Sequence, residues 1–224
     1  MFFPEKITKI NVGDRVLEIG PGGNPFSRSD VFLDINHKSN EEKLAQYGSN
    51  SDVKYNKPLY YYDGGKIPFN DNDFNYVICS HVIEHVENIP NFITELIRIA
   101  PKGYLEFPSP YYEYLYNFSV HKNFIYYNRE EKIIYFVKKN NRLKEFEKCT
   151  DFFKQTLMKG YTDIIDNNKE LFINYLEWQN NINIKEVADL SQINFEPIII
   201  STKKTGFYQK VKNFIKIALN IFKT

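Results

Sequence analysis

RVLEIGPGGNPF, residues 15–26, is the stretch that decides the fold of this chain. It begins with the apolar residues of a strand that is buried on both faces and ends in a glycine-rich loop. Gly20 and Gly22 allow positive φ angles and a close backbone approach to a ligand, because glycine has no Cβ. Pro25 stands where the GxGxxG dinucleotide fingerprint needs its third glycine. The stretch therefore predicts a nucleotide-binding loop of another type.

Further short apolar runs follow the loop, and the first two of them end in an acidic residue, Asp34 and Asp63. Open α/β sheets bind their ligands at the carboxyl ends of the strands, where a carboxylate can accept hydrogen bonds from a ribose diol. Taken singly, either acid is equally well explained as a cap at a strand end. Their position after successive strands favours the ligand role. The predicted strands after the loop are residues 31–34, 60–63, 76–79 and 104–107.

These segments, in this order, resemble the class I S-adenosylmethionine-dependent methyltransferases, and the small-molecule and sugar methyltransferases among them most closely. The resemblance covers roughly residues 11–110 and rests on LEIGPGGNPF, LDIN, YYDGGKIPF, FNYVICSHVIEHV and ELIRIAPKGYLEFPSP. It implies an α/β, Rossmann-like fold with a mostly parallel seven-stranded sheet and helices on both faces. It also implies S-adenosylmethionine as the cofactor.

The resemblance assigns cofactor contacts to residues at the strand ends. Asp34 would accept hydrogen bonds from the ribose hydroxyls. Asp63 would meet the adenine amine, with Gly64 beside it. The residues lining the amino-acid part would be Glu18, Gly20 and Gly22, and those near the methionine end would be Ser80 and His81.

The connection between the glycine loop and the second strand is unusually short. Residues 24–31 cannot hold a helix of about 11 residues together with its turns. Pro25 also restricts Asn24 away from helical geometry. We therefore expect the first crossover helix to be shortened to a turn or missing, which leaves one face of the sheet partly uncovered. The N-terminal segment MFFPEKI is the candidate to lie over that face.

Beyond the fifth strand the chain becomes aromatic, where this group of methyltransferases builds its substrate pocket. The tyrosines of this part either stack on a sugar ring or fill the core. Two apolar runs, 124–127 and 133–137, flank a polar turn and predict a β-hairpin insertion after strand 5. A helix is expected over 142–160, and the last two strands over 176–187 and 195–201.

Three of the four histidines have a candidate chemical role. His81, Glu84 and His85 spell HxxEH, a zinc motif of inverted metalloproteases. A zinc site needs a further protein ligand, and the motif is expected to open the helix after a methyltransferase strand, so we predict no metal. For a sugar hydroxyl acceptor, whose proton must leave, His121 is the predicted general base and His81 the second candidate.

Length and composition suit a single domain over residues 1–205, with a cofactor core (11–110), a substrate lobe (111–175) and final strands (176–201). A formal charge of +1 gives no attraction to nucleic acid, which we do not expect as a partner. Two cysteines, no signal-peptide pattern at the start and no apolar run of about 20 residues indicate a cytoplasmic protein.

Residues 206–224 predict a basic amphipathic C-terminal helix, because apolar side chains recur on one face and lysines on the other. This helix either docks on the domain or lies on the cytosolic face of an anionic membrane through residues 207–223.

The sequence as a whole favours a methyltransferase that uses S-adenosylmethionine on a small or lipid-linked acceptor. The first hypothesis for that acceptor is a sugar hydroxyl in surface-polysaccharide biosynthesis. Two alternatives stay open. One is a quinone-type or other small-molecule methyltransferase, and the other is a catalytically silent subunit that binds S-adenosylmethionine for a partner.

Overall fold

The computed structural model describes residues 1–36, 55–139 and 147–198. Within these residues the chain forms a six-stranded sheet, a three-stranded sheet and five α-helices. The strands are β1 (Val16–Ile19), β2 (Val31–Ile35), β3 (Leu59–Tyr62), β4 (Tyr76–Ser80), β5 (Lys102–Pro108), β6 (Asn123–Asn128), β7 (Ile133–Lys138), β8 (Ile173–Gln179) and β9 (Ile184–Glu186). The helices are α1 (Ile89–Ile99), α2 (Pro110–Tyr116), α3 (Glu147–Met158), α4 (Asp163–Asn167) and α5 (Lys169–Phe172).

The larger sheet has the order β3-β2-β1-β4-β5-β8. Its first five strands are parallel, and β8 pairs antiparallel with β5. The chain moves outward in one direction from β1 to β3 and in the other from β4 to β8, so a crevice opens between the carboxyl ends of β1 and β4. This confirms the predicted α/β, Rossmann-like fold class.

The C-terminal part of the larger sheet departs from the prediction. Seven strands were expected in this sheet, and the described residues contribute six to it. The predicted strand 176–187 is divided into β8 and β9, and β9 pairs with β7 in the smaller sheet. Residues 195–198 of the other predicted strand are not in a strand, and its last three residues lie outside the described part of the chain.

The first crossover helix, between β1 and β2, is missing from the described residues, as predicted. The described chain passes from the glycine loop to β2 through turns and bends. The N-terminal segment, which contains a short 3-10 helix at Pro4–Lys6, lies on one face of the larger sheet instead. The apolar cluster that joins the segment and the loop to the sheet consists of Ile7, Ile10, Val16, Phe26, Tyr76, Ile78 and Tyr104.

The opposite face carries α1 and the β6-β7 hairpin, whose strands pair antiparallel where a hairpin was predicted. The sequence predicts that a helix begins directly after β4, and this is wrong in detail. A 3-10 turn, Ile83–His85, comes first, and α1 begins at Ile89. Asn88 caps α1 by accepting from the backbone N–H of Asn91, and Pro90 fits the first turn of a helix because it has no N–H.

The aromatic segment after β5 forms α2, and its tyrosines differ in exposure. Tyr116 is buried, whereas Tyr114 is exposed. The helix expected over 142–160 is present as α3, and residues 140–146 lie outside the described part of the chain. The predicted C-terminal helix, 206–224, lies outside it as well. Among the described residues, no helix is both long and apolar enough to cross a bilayer.

Candidate active site

The glycine loop after β1 has the backbone conformation that its sequence predicts. Gly20 and Gly22 have φ angles of +65° and +56°. A Cβ on Gly20 would lie 2.5 Å from Cγ2 of Val82, so this glycine lets the segment after β4 pack against the loop. A Cβ on Gly22 would meet no atom within 4 Å among the described residues. The backbone at Gly22 is thus open to a ligand.

Glu18 holds the glycine loop from inside. Its side chain is buried, and Oε2 accepts hydrogen bonds from the Ser29 hydroxyl (2.7 Å) and the backbone N–H of Phe26 (2.9 Å). Burial raises the pKa of this carboxyl, and the two hydrogen bonds oppose the shift. Glu18 therefore shapes the loop between β1 and β2. Its contact with the amino-acid part of a cofactor stays a prediction.

The two predicted nucleoside acids lie at the same edge of the sheet. Asp34 lies on β2 in register with Tyr61 of β3, and Asp63 follows directly after β3. Asp34 is nearly buried and accepts from the backbone N–H of Ile35 (2.8 Å), whereas Asp63 is exposed. Gly64, next to Asp63, has a φ of +85°. The structure places both acids where strand ends meet.

Tyr55 also belongs to this edge and was not predicted from the sequence. Its hydroxyl donates to the carbonyl oxygen of Gly22 (2.7 Å), and its ring lies 5.0 Å from that of Phe32. Burial and the nearby charge of Asp34 raise the pKa of Tyr55 to about 12. Tyr55 thus connects the glycine loop to the acid at the end of β2. No local sequence pattern marks it, because it is separated from the loop by 33 residues.

His81 lies between two buried carboxylates at the carboxyl end of β4. Its Nδ1 is 3.4 Å from Oε1 of Glu84, and its Nε2 is 3.3 Å from Oε1 of Glu106. Burial alone would lower the pKa of His81, but the two carboxylates raise it to about 9. Its φ of +57° is rare for a residue with a Cβ and is typical of strained functional positions.

Glu106 connects the predicted methionine end to the N-terminus of the chain. Its carboxylate accepts from the Ser80 hydroxyl (2.8 Å), from the Tyr104 hydroxyl (2.7 Å) and from the backbone N–H groups of Phe2 and Phe3. Burial would raise the pKa of Glu106, but His81 and these donors lower it to about 2. Glu106 was not predicted from the sequence, although an acid inside a buried strand is a signal that could have identified it.

A second group of side chains lies beside His81. The structure brings His121 together with Glu84 and His85, and one ligand atom from each residue lies within 4.8 Å of the others. The rings of His85 and His121 are 4.7 Å apart in an edge-to-face arrangement. His121 thus joins two of the three residues of the HxxEH motif, Glu84 and His85, in this group. Such a set of nitrogen and carboxylate atoms can bind a metal ion or move a proton.

Comparisons with known proteins connect this architecture to a family. The family model described as a methyltransferase domain matches residues 2–139. A ubiquinone biosynthesis O-methyltransferase of Rickettsia bellii (strain OSU 85-389) is 32% identical over 95 residues, which are 39% of this chain and 38% of that protein. The enzyme of the same name from Rickettsia typhi is 33% identical over 96 residues, again 38% of its length.

The chain thus spans less than two fifths of the curated relatives that it matches. Among solved structures, the PH0226 protein from Pyrococcus horikoshii OT3 has a TM-score of 0.35 at 21% identity, over 54% of this chain and 60% of that one. That likeness is too distant to add to the assignment. The family model, in contrast, covers more than half of the chain, including β1 to β7. The chain therefore belongs to the methyltransferase domain family, with the Rossmann-like fold of the class I enzymes that use S-adenosylmethionine.

Proposed function

We propose that this protein transfers the methyl group of S-adenosylmethionine to a hydroxyl oxygen of a small acceptor. The observation that carries the proposal is the crevice between β1 and β4. The open glycine loop lies at this crevice, with the acids at the ends of β2 and β3 on one side and His81 on the other. The open space beside the Cα of Gly22 and the acid at the end of β2 suit the cofactor, because they offer a cradle and a partner for a ribose diol.

The bound cofactor supplies a methyl group that its sulfonium already activates. The residues of the chain then have to hold the cofactor and the acceptor in line, which contributes about 7–11 kcal/mol of the barrier in well-oriented reactions. Asp34 would hold the ribose and Asp63 the adenine amine. The backbone of Gly20 to Gly22 and the segment from Ser80 would hold the methionine part. Positioning outweighs a general base, which typically raises the rate by about 10²–10⁴-fold, or about 3–5 kcal/mol of the barrier.

The proton of the acceptor hydroxyl leaves more readily toward His121 than toward His81. Nδ1 of His121 contacts Oε1 of Glu113, which leaves Nε2 to accept a proton or to bind an ion. Both nitrogens of His81 face carboxylates instead. His81 is better suited to contact the methionine end, which is the other role proposed for it from the sequence.

For the acceptor we favour a ring hydroxyl over a sugar hydroxyl. The support is the name of the relatives, ubiquinone biosynthesis O-methyltransferase, and the aromatic surroundings of the histidines. The ring of Phe2 lies 5.5 Å from that of His81, and the ring of Phe118 lies 5.2 Å from that of His121. Aromatic side chains stack readily on a flat phenolic ring. The sugar hydroxyl remains the second candidate, because aromatic rings also stack on sugars.

The test measures S-adenosylhomocysteine release from the purified full chain with two panels of acceptors, catechols and quinols in one and nucleotide sugars in the other. Binding of S-adenosylmethionine is measured first by calorimetry. We expect binding, and release with the phenolic panel. Release only with the sugar panel would transfer the proposal to the sugar hydroxyl. Binding without release in either panel would favour the silent partner subunit, and an absence of binding would contradict the proposal.

A further inference from the structure

Glu84 is a buried carboxylate without an adequate partner. Its side chain is fully buried, and neither oxygen has a hydrogen-bond partner among the described residues. Oε1 lies 3.4 Å from Nδ1 of His81 and 4.0 Å from Nε2 of His85, without hydrogen-bond geometry to either. Buried charges in proteins are normally paired and hydrogen-bonded, or they coordinate metal ions. The imidazole at 3.4 Å leaves the hydrogen-bonding capacity of both oxygens unfilled, which points to a further ligand.

The two histidines of the group, His85 and His121, have the orientation of metal ligands. Nδ1 of His85 is 3.1 Å from the carbonyl oxygen of Val120, so it carries the proton and Nε2 has the free lone pair. Nδ1 of His121 contacts Glu113, whose other oxygen accepts from Lys139 (2.7 Å). A carbonyl or carboxylate behind the ring is the usual outer partner of a metal-bound histidine, because it fixes the tautomer and the ring orientation.

The backbone around Glu84 is fixed by the first residues of the hairpin. The backbone N–H of Lys122 donates to the carbonyl oxygen of Glu84 (2.8 Å). The side-chain amide of Asn123, itself buried, donates to the carbonyl oxygens of Glu84 (3.3 Å) and Val86 (2.8 Å). These bonds attach the HxxEH turn to the segment that carries His121. His121 is 36 residues after His85 in the sequence, and these bonds hold it beside the adjacent ligands Glu84 and His85.

We propose that Glu84, His85 and His121 bind a divalent transition-metal ion. Two imidazole nitrogens and one carboxylate are a ligand set that suits Zn²⁺, with one position open. Ligand atoms in a tetrahedral site with bonds of about 2.1 Å lie about 3.4 Å apart, so the atoms now within 4.8 Å need to approach by at most about 1.4 Å. Side-chain rotation can supply this movement. The inference replaces the prediction of no metal made from the sequence.

The site goes beyond the proposed function, because metal binding needs neither cofactor nor acceptor. In the complete enzyme, an acceptor hydroxyl at the open position would be oriented by the ion, which would also lower the pKa of that hydroxyl so that its proton passes to a water molecule. His121 would then be a ligand and not the base. Because Val82 packs on Gly20 and the site begins two residues later, this position is next to the cofactor loop.

The test uses the full chain without a polyhistidine tag, treated with a chelator and dialysed. Zn²⁺ is titrated by calorimetry, and Co²⁺ is added to a second sample for its visible absorption spectrum. We expect one ion per chain and the intense spectrum of low-coordinate Co²⁺ with nitrogen ligands. Glu84→Gln and His121→Asn should abolish both signals, and Glu113→Gln should weaken Zn²⁺ binding by about 10–100-fold. The matched control is Glu87→Gln, because Glu87 is exposed and pairs with Lys122 and Lys138.

The affinity for S-adenosylmethionine is measured on the same samples. A variant that still binds S-adenosylmethionine is folded, so its loss of Zn²⁺ binding does not come from misfolding. The same measurement on the wild type shows separately whether the proposed function fails. A wild-type chain that gives only the weak spectrum of hydrated Co²⁺ would overturn the metal site, whatever the variants do. Zn²⁺ binding that is unchanged in both Glu84→Gln and His121→Asn would overturn it as well. Either result would return His121 to the role of a base.

Discussion

The backbone N–H of Phe3 donates to Oε2 of Glu106 over 2.9 Å, which attaches the N-terminal segment to the carboxyl end of β5. The neighbouring N–H of Phe2 donates to Oε1 of the same carboxylate (2.8 Å). Oε1 also faces His81, which is expected at the methionine end of the cofactor. The segment that replaces the crossover helix over the sheet thus also reaches the candidate active site.

Replacing Glu106 should therefore cost stability and release the N-terminus. Glu106→Gln keeps the shape of the side chain but removes the buried charge that faces His81, and breaking a buried ion pair costs on the order of 3 kcal/mol. We expect that loss in the free energy of unfolding in urea, together with faster proteolysis in the first residues. Glu5→Gln, an exposed change in the same segment, is the control and should stay within about 0.5 kcal/mol of the wild type. Equal stability of the two variants would contradict the central role of Glu106.

Asp34 should contribute to cofactor affinity more than to folding. Asp34→Asn removes the charge that would accept the ribose hydroxyls, and hydrogen bonds to a charged group contribute about 1.5–3 kcal/mol. The affinity for S-adenosylmethionine, measured by calorimetry, should fall about 10–150-fold. Asp151→Asn on the exposed side of α3 is the control. An unchanged affinity of Asp34→Asn would show that the acid is only a strand-end residue.

The part of the fold that could be predicted is the part encoded locally. The apolar run at β1 and the glycines after it allow few other conformations, and counting residues 24–31 was enough to exclude the first crossover helix. The turn at Ile83–His85 was missed, because the apolar spacing around it fits a helix. Only Asn88 and Pro90 indicate the later start at Ile89.

The candidate site was only partly predictable, because several of its contacts join distant parts of the chain. His121 was selected for its chemistry alone, and its position beside Glu84 depends on how the β6 hairpin packs on the turn after β4. The same holds for the bonds from Phe2 and Phe3 to Glu106, which span more than 100 residues. A single sequence carries no signal for such pairs. The types of side chain in these pairs could be predicted, but not which residues contact each other.

Stability in acid should depend on Glu95 of α1. Glu95 accepts from Arg98 (2.7 Å) and from the backbone N–H of Ile67 (2.7 Å), close to the segment after Asp63. Arg98 lowers the pKa of Glu95, more than burial raises it. A pKa that is lower in the folded state gives stability that is complete above the unfolded pKa and is lost as the pH falls through the folded pKa.

Glu95→Gln should therefore be less stable than the wild type at neutral pH, by about 1–3 kcal/mol. The difference should narrow as the pH falls below the ordinary pKa of a glutamate, about 4.3, because the wild-type carboxylate then takes up a proton. Urea unfolding of both chains across this range is the measurement. A difference that stays constant with pH would mean that the charge of Glu95 contributes nothing to stability.

The two loop glycines should respond differently to alanine. Gly20→Ala brings a Cβ within 2.5 Å of Val82 and also forces alanine to a φ of +65°, so this variant should lose stability by several kcal/mol. Shortening the neighbour, in the double variant Gly20→Ala with Val82→Ala, should recover part of that loss because it relieves the contact.

Gly22→Ala meets no neighbour in the described part of the chain and should cost only the backbone strain of about 1–2 kcal/mol. Its Cβ would instead occupy the space that the cofactor needs, so the affinity for S-adenosylmethionine should fall strongly while the chain remains folded. Urea unfolding and calorimetry on the three variants separate these effects. If Gly22→Ala binds S-adenosylmethionine as tightly as the wild type, the cofactor does not approach the loop at this glycine.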